Sequence, residues 1–376
     1  MKNTLNQNGG RIYSADLVKI IAMFFVLILH LIGVGGVFDG ANGNTLLQGI
    51  LSGMEGVAFV SVNLFALATG FIYEGRSVKY SRLFELWLRA VFISLACLAV
   101  VYFVGGKITQ KIILKSVFVF SKRTFWYLNE YIEMMLISPA LNAAVRKMNA
   151  KETGFVLLVF AAVFSLFPTA TANDTLSRGY SFLWLSFLYA VGAYIKKYNL
   201  HQRLSKWFFA VIYILSTAAQ SILIYVSKNR EMTFFETDYS HVHAFYNNAF
   251  VLTSAVSLFI LILGVEFKSQ KSKKIIVSVS SVSFAVYLVH GCPAIWQYIL
   301  RQLEFIGKMN TAAAAFTVLG LSLGIYICAI IIGFAQARLF KAVKINILCE
   351  KIEILIRKIF NILFGLGKKL LIKNDR

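Results

Sequence analysis

The stretch ADLVKIIAMFFVLILH, residues 15–30, decides how the chain is read. It is apolar enough to cross a bilayer, yet it carries Asp16 and Lys19 near one end and His30 at the other. Ionisable groups are costly at that depth, so by default they mark function and face a protein interior or a polar cavity. Eleven helical steps of ~100° bring His30 within about 20° of the face of Lys19, ~16 Å further along the axis. Asp16 precedes Lys19 by three residues and is placed to pair with it. One helix face therefore carries charge near one end and a proton-transfer group deep inside.

Outward from that segment, apolar runs recur along the whole chain. Of 376 residues 58% are hydrophobic and 15% charged, and the mean hydropathy is +0.71. Such a composition excludes an ordinary soluble domain and gives an all-α, polytopic membrane protein. About ten transmembrane helices are expected, near 15–36, 53–74, 83–104, 124–145, 153–169, 178–196, 206–226, 244–264, 276–300 and 312–337. The first segment is read as a retained span, because no small-x-small cleavage site follows at a suitable distance. The formal charge of +21 does not signal nucleic acid, since Lys and Arg fall between apolar runs and in the tail. Four cysteines (Cys97, Cys292, Cys328, Cys349) lack CxxC or metal spacing and are expected as free thiols.

Lys and Arg set the orientation. With the N-terminus cytoplasmic, the inner loops hold Arg76, Lys79 and Arg82, then Arg146, Lys147 and Lys151, then Lys196, Lys197, Arg203 and Lys206, then Lys268, Lys271, Lys273 and Lys274. The outer loops are poorer, except 105–123, where Lys107, Lys111 and Lys115 repeat every fourth residue and suggest one face of a short surface helix. An even number of spans returns the C-terminus to the cytoplasm. The chain then divides into a transmembrane domain, 1–340, and a cationic amphipathic tail, 341–376. The tail mixes Ile, Leu and Phe with Lys341, Lys344, Lys351, Arg357, Lys358, Lys368 and Lys369, as an interfacial helix on an anionic leaflet requires.

Four groups of residues carry candidate chemistry. His30 is the first, with Lys19 and Asp16 on its helix. His290 is the second, about fifteen residues into an outward-running span, at a depth like that of His30. Pro293 follows it and should kink or open the helix. Glu130 and Glu133 are the third, three apart in the outer half of their span and suited to orienting or charging a histidine. Arg76, Lys79, Arg82 and Arg89 form the fourth, a cationic cluster fit for phosphates, with Glu85 placed to pair with Arg82 or Arg89. The chain has no Walker loop, GxGxxG, GxSxG or HExxH motif. We assign no metal site; only His241 and His243, by an outer loop, raise the question, and their spacing sets them apart on a helix.

Several of these segments, in order, resemble the acyltransferase-3 family of integral membrane O-acyltransferases. ADLVKIIAMFFVLILH resembles the family opening, with an Asp before a basic residue that lies ten intervening residues from a His: Asp16, Lys19, His30. VNLFALATGF resembles a Ser-Gly-Phe-like segment, with Thr69 in place of Ser. KYSRLFELWLR resembles an Arg-x-x-Arg entrance to the third span, here Lys79 and Arg82. FWYLNEYIEMMLISPALN resembles the Trp-Phe/Tyr-Leu segment ending in Pro, from Trp126 to Pro139. FLYAVGAYI resembles the Gly-containing sixth span. SVSFAVYLVH resembles the Tyr-Leu-x-His segment, giving Tyr287 and His290.

The resemblance implies transfer of an acyl group, acetyl first, from cytoplasmic acyl-CoA to a hydroxyl of a surface glycan or its lipid-linked precursor. It implies a multi-pass protein of a bacterial plasma membrane, with acyl-CoA as a donor substrate, membrane lipids as surroundings, no permanently bound cofactor and no nucleic acid. The catalytic set is then His30, His290, Glu130 and Glu133. Lys19, Lys79, Arg82 and Arg89 meet the donor, and Asp16, Thr69, Trp126 and Tyr287 support. A transporter of an amino acid or glycan precursor is the alternative, because buried His, Lys and Glu also suit proton-coupled transport.

Overall fold

The computed structural model describes residues 11–374 apart from 204, 231, 235 and 236, with side chains through Ile359 and at Asn361. The helices of six or more residues are α1 (Tyr13–Leu29), α2 (Thr45–Ala58), α3 (Ser61–Tyr73), α4 (Ser81–Phe103), α5 (Gln110–Val117), α6 (Trp126–Lys147), α7 (Ala150–Ala161), α8 (Phe182–Lys197), α9 (Lys206–Asn229), α10 (Ala249–Leu263), α11 (Gln270–Val282), α12 (Phe284–His290), α13 (Pro293–Tyr298), α14 (Thr311–Ala342) and α15 (Ile345–Asn374). Among the described residues the only strands form a small hairpin, Thr233–Phe234 against Thr237–Asp238.

Among the described residues, eight helical stretches are long and apolar enough to cross a membrane: Tyr13–Val34, Thr45–Tyr73, Ser81–Phe103, Ala150–Thr171, Lys206–Asn229, Val242–Leu263, Gln270–His290 and Thr311–Ala342. The two other expected spans are also helices. In α6 the charges of Glu130, Glu133, Arg146 and Lys147 lower the hydropathy, and α8 has only 16 residues. Polar caps start many of these helices: the side chains of Asn44, Ser181, Asn248 and Asn310 each accept a backbone N–H of the first turn. The Asn44 cap starts α2 earlier than the apolar pattern suggests.

Three local features depart from regular helix. α1 widens into a π turn at His30–Val34, where Gly35 N–H donates to the His30 carbonyl at 2.8 Å. Such turns re-aim side chains and recur at functional sites. In α6, Pro139 cannot donate to the Met135 carbonyl, and the Ser138 hydroxyl does so instead at 2.8 Å. The ninth expected span breaks as Pro293 anticipates: α12 ends at His290, Cys292 is extended and α13 begins at Pro293. The surface helix expected from Lys107 is α5, capped by Thr109; it holds Lys111 and Lys115, while Lys107 lies before it.

Helices α3 and α8 cross closely, because Gly70 faces the Tyr189 carbonyl and Gly192 faces the Leu67 carbonyl. A buried polar bridge pins the same crossing: Trp184 Nε1 donates to Asn63 Oδ1 at 3.0 Å, and Asn63 Nδ2 donates to the Tyr246 carbonyl at 2.9 Å. A second polar link joins α2 to α9, where the half-buried Lys228 Nζ meets the buried Glu55 Oε2 at 2.6 Å. The four cysteines are free thiols.

α15 packs against α4, with Glu353 Oε2 accepting the Ser81 backbone N–H at 2.7 Å and Arg357 over the Tyr80 ring. The side chains of Lys368 and Lys369 lie outside the described residues, as do residues 1–10, on which the expected N-terminal orientation bears.

Two predictions follow from this packing. Gly70→Ala or Gly192→Ala inserts a methyl into a facing carbonyl and should destabilise by about 1–3 kcal/mol. Gly49→Ala and Gly320→Ala, with open space at the Cβ, should not. Thermal unfolding of the detergent-solubilised protein reads the difference, and equal midpoints would remove the close crossing as a stabilising element. The second concerns the tail. Burial tends to raise the Glu353 carboxyl, but bonds from Arg357 and Ser81 outweigh it and hold the group at about 2, against 4.5 ordinarily. A lowered folded value means the docking contribution is complete above the ordinary value and is lost as pH falls towards about 2. Glu353→Gln should therefore speed amide exchange at Ser81 at neutral pH, and unchanged exchange would contradict the docking role.

Candidate active site

His30 and His290 meet directly. His30 Nδ1 lies 2.8 Å from His290 Nε2, across the contact of α1 with α12. His290 Nδ1 bonds the Val286 carbonyl one turn back on its own helix. A carbonyl only accepts, so Nδ1 of His290 carries the proton. With both rings neutral, His290 Nε2 is then the acceptor and His30 Nδ1–H the donor. That leaves the lone pair of His30 on Nε2. The chain of bonds fixes the tautomer a general base needs, just as a carboxylate would.

His30 is half-buried and His290 buried. Trp296 closes one side, edge-on to the His30 ring with centroids 4.9 Å apart. A small cavity of about 30 Å³ opens on His30, lined by Met23, Val26, Phe65, Trp126, Tyr127 and Tyr287 among others. Its walls are apolar and aromatic, so charges inside it are weakly screened. Trp126 also lines a second, wider cavity with Arg123, Glu130, Glu133, Tyr180 and Phe182. Trp126, Tyr180 and Tyr246 stand at their junction, with ring centroids 4.5–5.8 Å apart.

The loop that delivers Tyr180 is strained. Leu176, Ser177 and Arg178 are all left-handed, at φ 52°, 51° and 60°, a conformation costing roughly 1–2 kcal/mol per residue. Arg178 holds it through both Asp174 carboxylate oxygens, at 2.8 and 2.9 Å, and its carbonyl accepts the Tyr246 N–H at 2.9 Å.

The glutamates sit beside this junction. Glu130 is buried; one oxygen is bound by Arg123 and the other accepts the Phe182 N–H at 2.6 Å. Glu133 is half-buried, 3.7 Å from Arg123. Their described contacts are with Arg123 and the start of α8, not with the histidines.

At the other end of α1, Asp16 is a buried hub. Its oxygens bind Arg11 at 2.6 Å and the Ser280 hydroxyl at 2.8 Å, with Lys19 Nζ at 3.6 Å. Lys19 is half-buried there. Lys79 and Arg82 are exposed before and at the start of α4. Arg89 pairs with Glu85 at 2.7 Å and covers the Phe340 ring. Thr69 donates back to the Phe65 carbonyl within α3. Tyr287 hydroxyl accepts the Tyr127 N–H at 3.2 Å. His241 lies 3.7 and 3.8 Å from Asp174 and Asp238, and among the described residues no group of three or more His, Cys, Asp or Glu is placed to hold a metal.

The model of a family described as an acyltransferase domain matches residues 12–333, from α1 into α14. The chain belongs to the acyltransferase-3 family. The match contains both histidines, both cavities and, of the Asp16 hub, Asp16, Lys19 and Ser280; Arg11 precedes it and α15 lies beyond it. No curated protein and no solved structure matches the chain. The acyltransferase is thus a multi-pass membrane protein by its helices and an acyl-transferring enzyme by its family.

Sequence reasoning missed Trp296, Tyr127, Tyr246, Arg11 and Ser280. Trp296 follows the proline break, where helical spacing no longer reports a face. Tyr246 comes from a loop without periodicity. Arg11 lies just before the first helix.

The relay yields a graded prediction. His30→Ala should lower acyl transfer by about 10²–10⁴-fold, the usual weight of a general base. His290→Ala leaves the His30 Nδ1–H without its acceptor, a loss of about 1–3 kcal/mol, or roughly tenfold to a hundredfold. The double variant should be no slower than His30→Ala, because one residue acts through the other. Additive losses would break the relay.

Proposed function

We propose that this acyltransferase moves an acyl group, acetyl first, from acyl-CoA to a hydroxyl of a surface glycan or its lipid-linked precursor in a bacterial plasma membrane. The observation that carries the reading is the His30–His290 pair, whose free Nε2 belongs to a ring lining a cavity ~16 Å along one helix from Lys19. A hydroxyl is a weak nucleophile near neutral pH and needs such a base.

The two ends of α1 suit two substrates. With the Asp16 end cytoplasmic, as the positive loops favour, Lys19 and the exposed Lys79 and Arg82 meet the phosphates of the donor. Asp16 and Ser280 keep that end of the helix in place. The acceptor arrives from the opposite side, through the wider cavity and past Trp126. Flat aromatic faces at the junction suit the apolar face of a sugar ring. The tail helix lies on the donor side, its exposed Ile347, Leu348, Ile354 and Leu355 in the inner leaflet and its Lys and Arg at the headgroups. No cofactor stays bound; acyl-CoA is consumed.

Membranes bearing the protein, given acetyl-CoA labelled in the acetyl group, should release free CoA thiol and pass label to envelope glycan. Mass spectra of that glycan, with and without the protein, then give acyl mass and acceptor together. Uptake of a solute into proteoliposomes without acyl donor, with no CoA released when donor is added, would replace this reading with a transporter.

A further inference from the structure

We propose that Tyr127 is a catalytic residue whose hydroxyl donates to the carbonyl oxygen of the acyl group as that oxygen becomes an oxyanion. The inference rests on the acyl-CoA reading above but has its own observation. The Tyr127 hydroxyl is buried, and no described residue bonds it. Leaving a buried hydroxyl so costs about 1–3 kcal/mol, and each such group in a folded protein calls for a reason.

The position supplies one. Tyr127 lines the same cavity as His30. Its ring is held by Phe65, Tyr131 and Tyr287, with centroids 5.8, 6.1 and 6.3 Å away. Its backbone N–H is fixed on the Tyr287 hydroxyl. A donor held in place among aromatic side chains needs little reorganisation when charge appears, which is what oxyanion stabilisation requires. The Tyr287 hydroxyl, which accepts from Tyr127 N–H, keeps its own proton to give and is the natural second donor.

The acceptor O–H gives its proton to His30 Nε2 as its oxygen bonds the thioester carbonyl carbon. The carbonyl π pair moves onto oxygen, which takes the hydrogen bond of Tyr127. Collapse restores the carbonyl and breaks the carbon–sulfur bond. The thiolate leaves with the proton from His30.

The test is Tyr127→Phe in the full-length protein in detergent or vesicles, assayed with labelled acetyl-CoA and envelope glycan. The expected result is a fall in kcat of about 10²-fold with KM for both substrates little changed. The thermal midpoint should stay or rise, because the substitution removes an unpaired buried hydroxyl. A kcat equal to wild type overturns the proposal, as does a midpoint that falls together with kcat. Wild-type protein that transfers no acyl group sinks the acyl-CoA reading instead, and is thereby distinguished from a failure of Tyr127 alone.

Discussion

One carbonyl directs the protons of the whole site. Val286 O accepts from His290 Nδ1, so His290 Nε2 accepts from His30 Nδ1, and the lone pair of His30 falls on Nε2. In water each imidazole would exchange tautomers freely. Inside a bundle of apolar helices an unmade bond is expensive, and the cheapest arrangement is the one that satisfies every donor. The π turn begins at His30 and the helix ends at His290, so both rings stand where regular helix gives way.

The pair has meaning only if the helices hold their distances. Two devices do this. The glycines of α3 and α8 let backbones approach where the apolar solvent offers little drive for association. Polar bridges then fix the register, from Trp184 through Asn63 to the Tyr246 carbonyl, and from Lys228 to Glu55. A buried ion pair is a poor source of net stability, and its better-attested use is to specify one arrangement. Here the Glu55 carboxylate lies near Gly33, inside the π turn that begins at His30.

Strain is concentrated at the mouth of the site. Three consecutive left-handed residues, the Arg178–Asp174 pair and the Arg123–Glu130 pair all lie around the aromatic junction. Backbone conformations of this kind persist only where surrounding contacts over-determine them. The charged residues of this rim thus hold the shape of the opening, and the aromatic rings present its surface.

The sequence by itself determined the membrane class, the helices, their approximate spans and the break at Pro293, and it singled out His30 and His290 by their depth. These are legible because a bilayer punishes exposed backbone and isolated charge, and proline removes a donor, wherever the chain goes in space. Asp16 and Lys19 were legible for the same reason, by their spacing on one helix. Only the tertiary structure decided that the two histidines, 260 residues apart, share a hydrogen bond. It alone gave Glu130 to Arg123 and the Phe182 N–H, chose Arg89 as the partner of Glu85, and brought Trp296 and Tyr127 to the cavity. Helical periodicity tells which residues share a face of one helix. Which face meets which is settled by side-chain packing and by the cost of leaving buried polar groups unpaired, and neither is written in the spacing of a single segment.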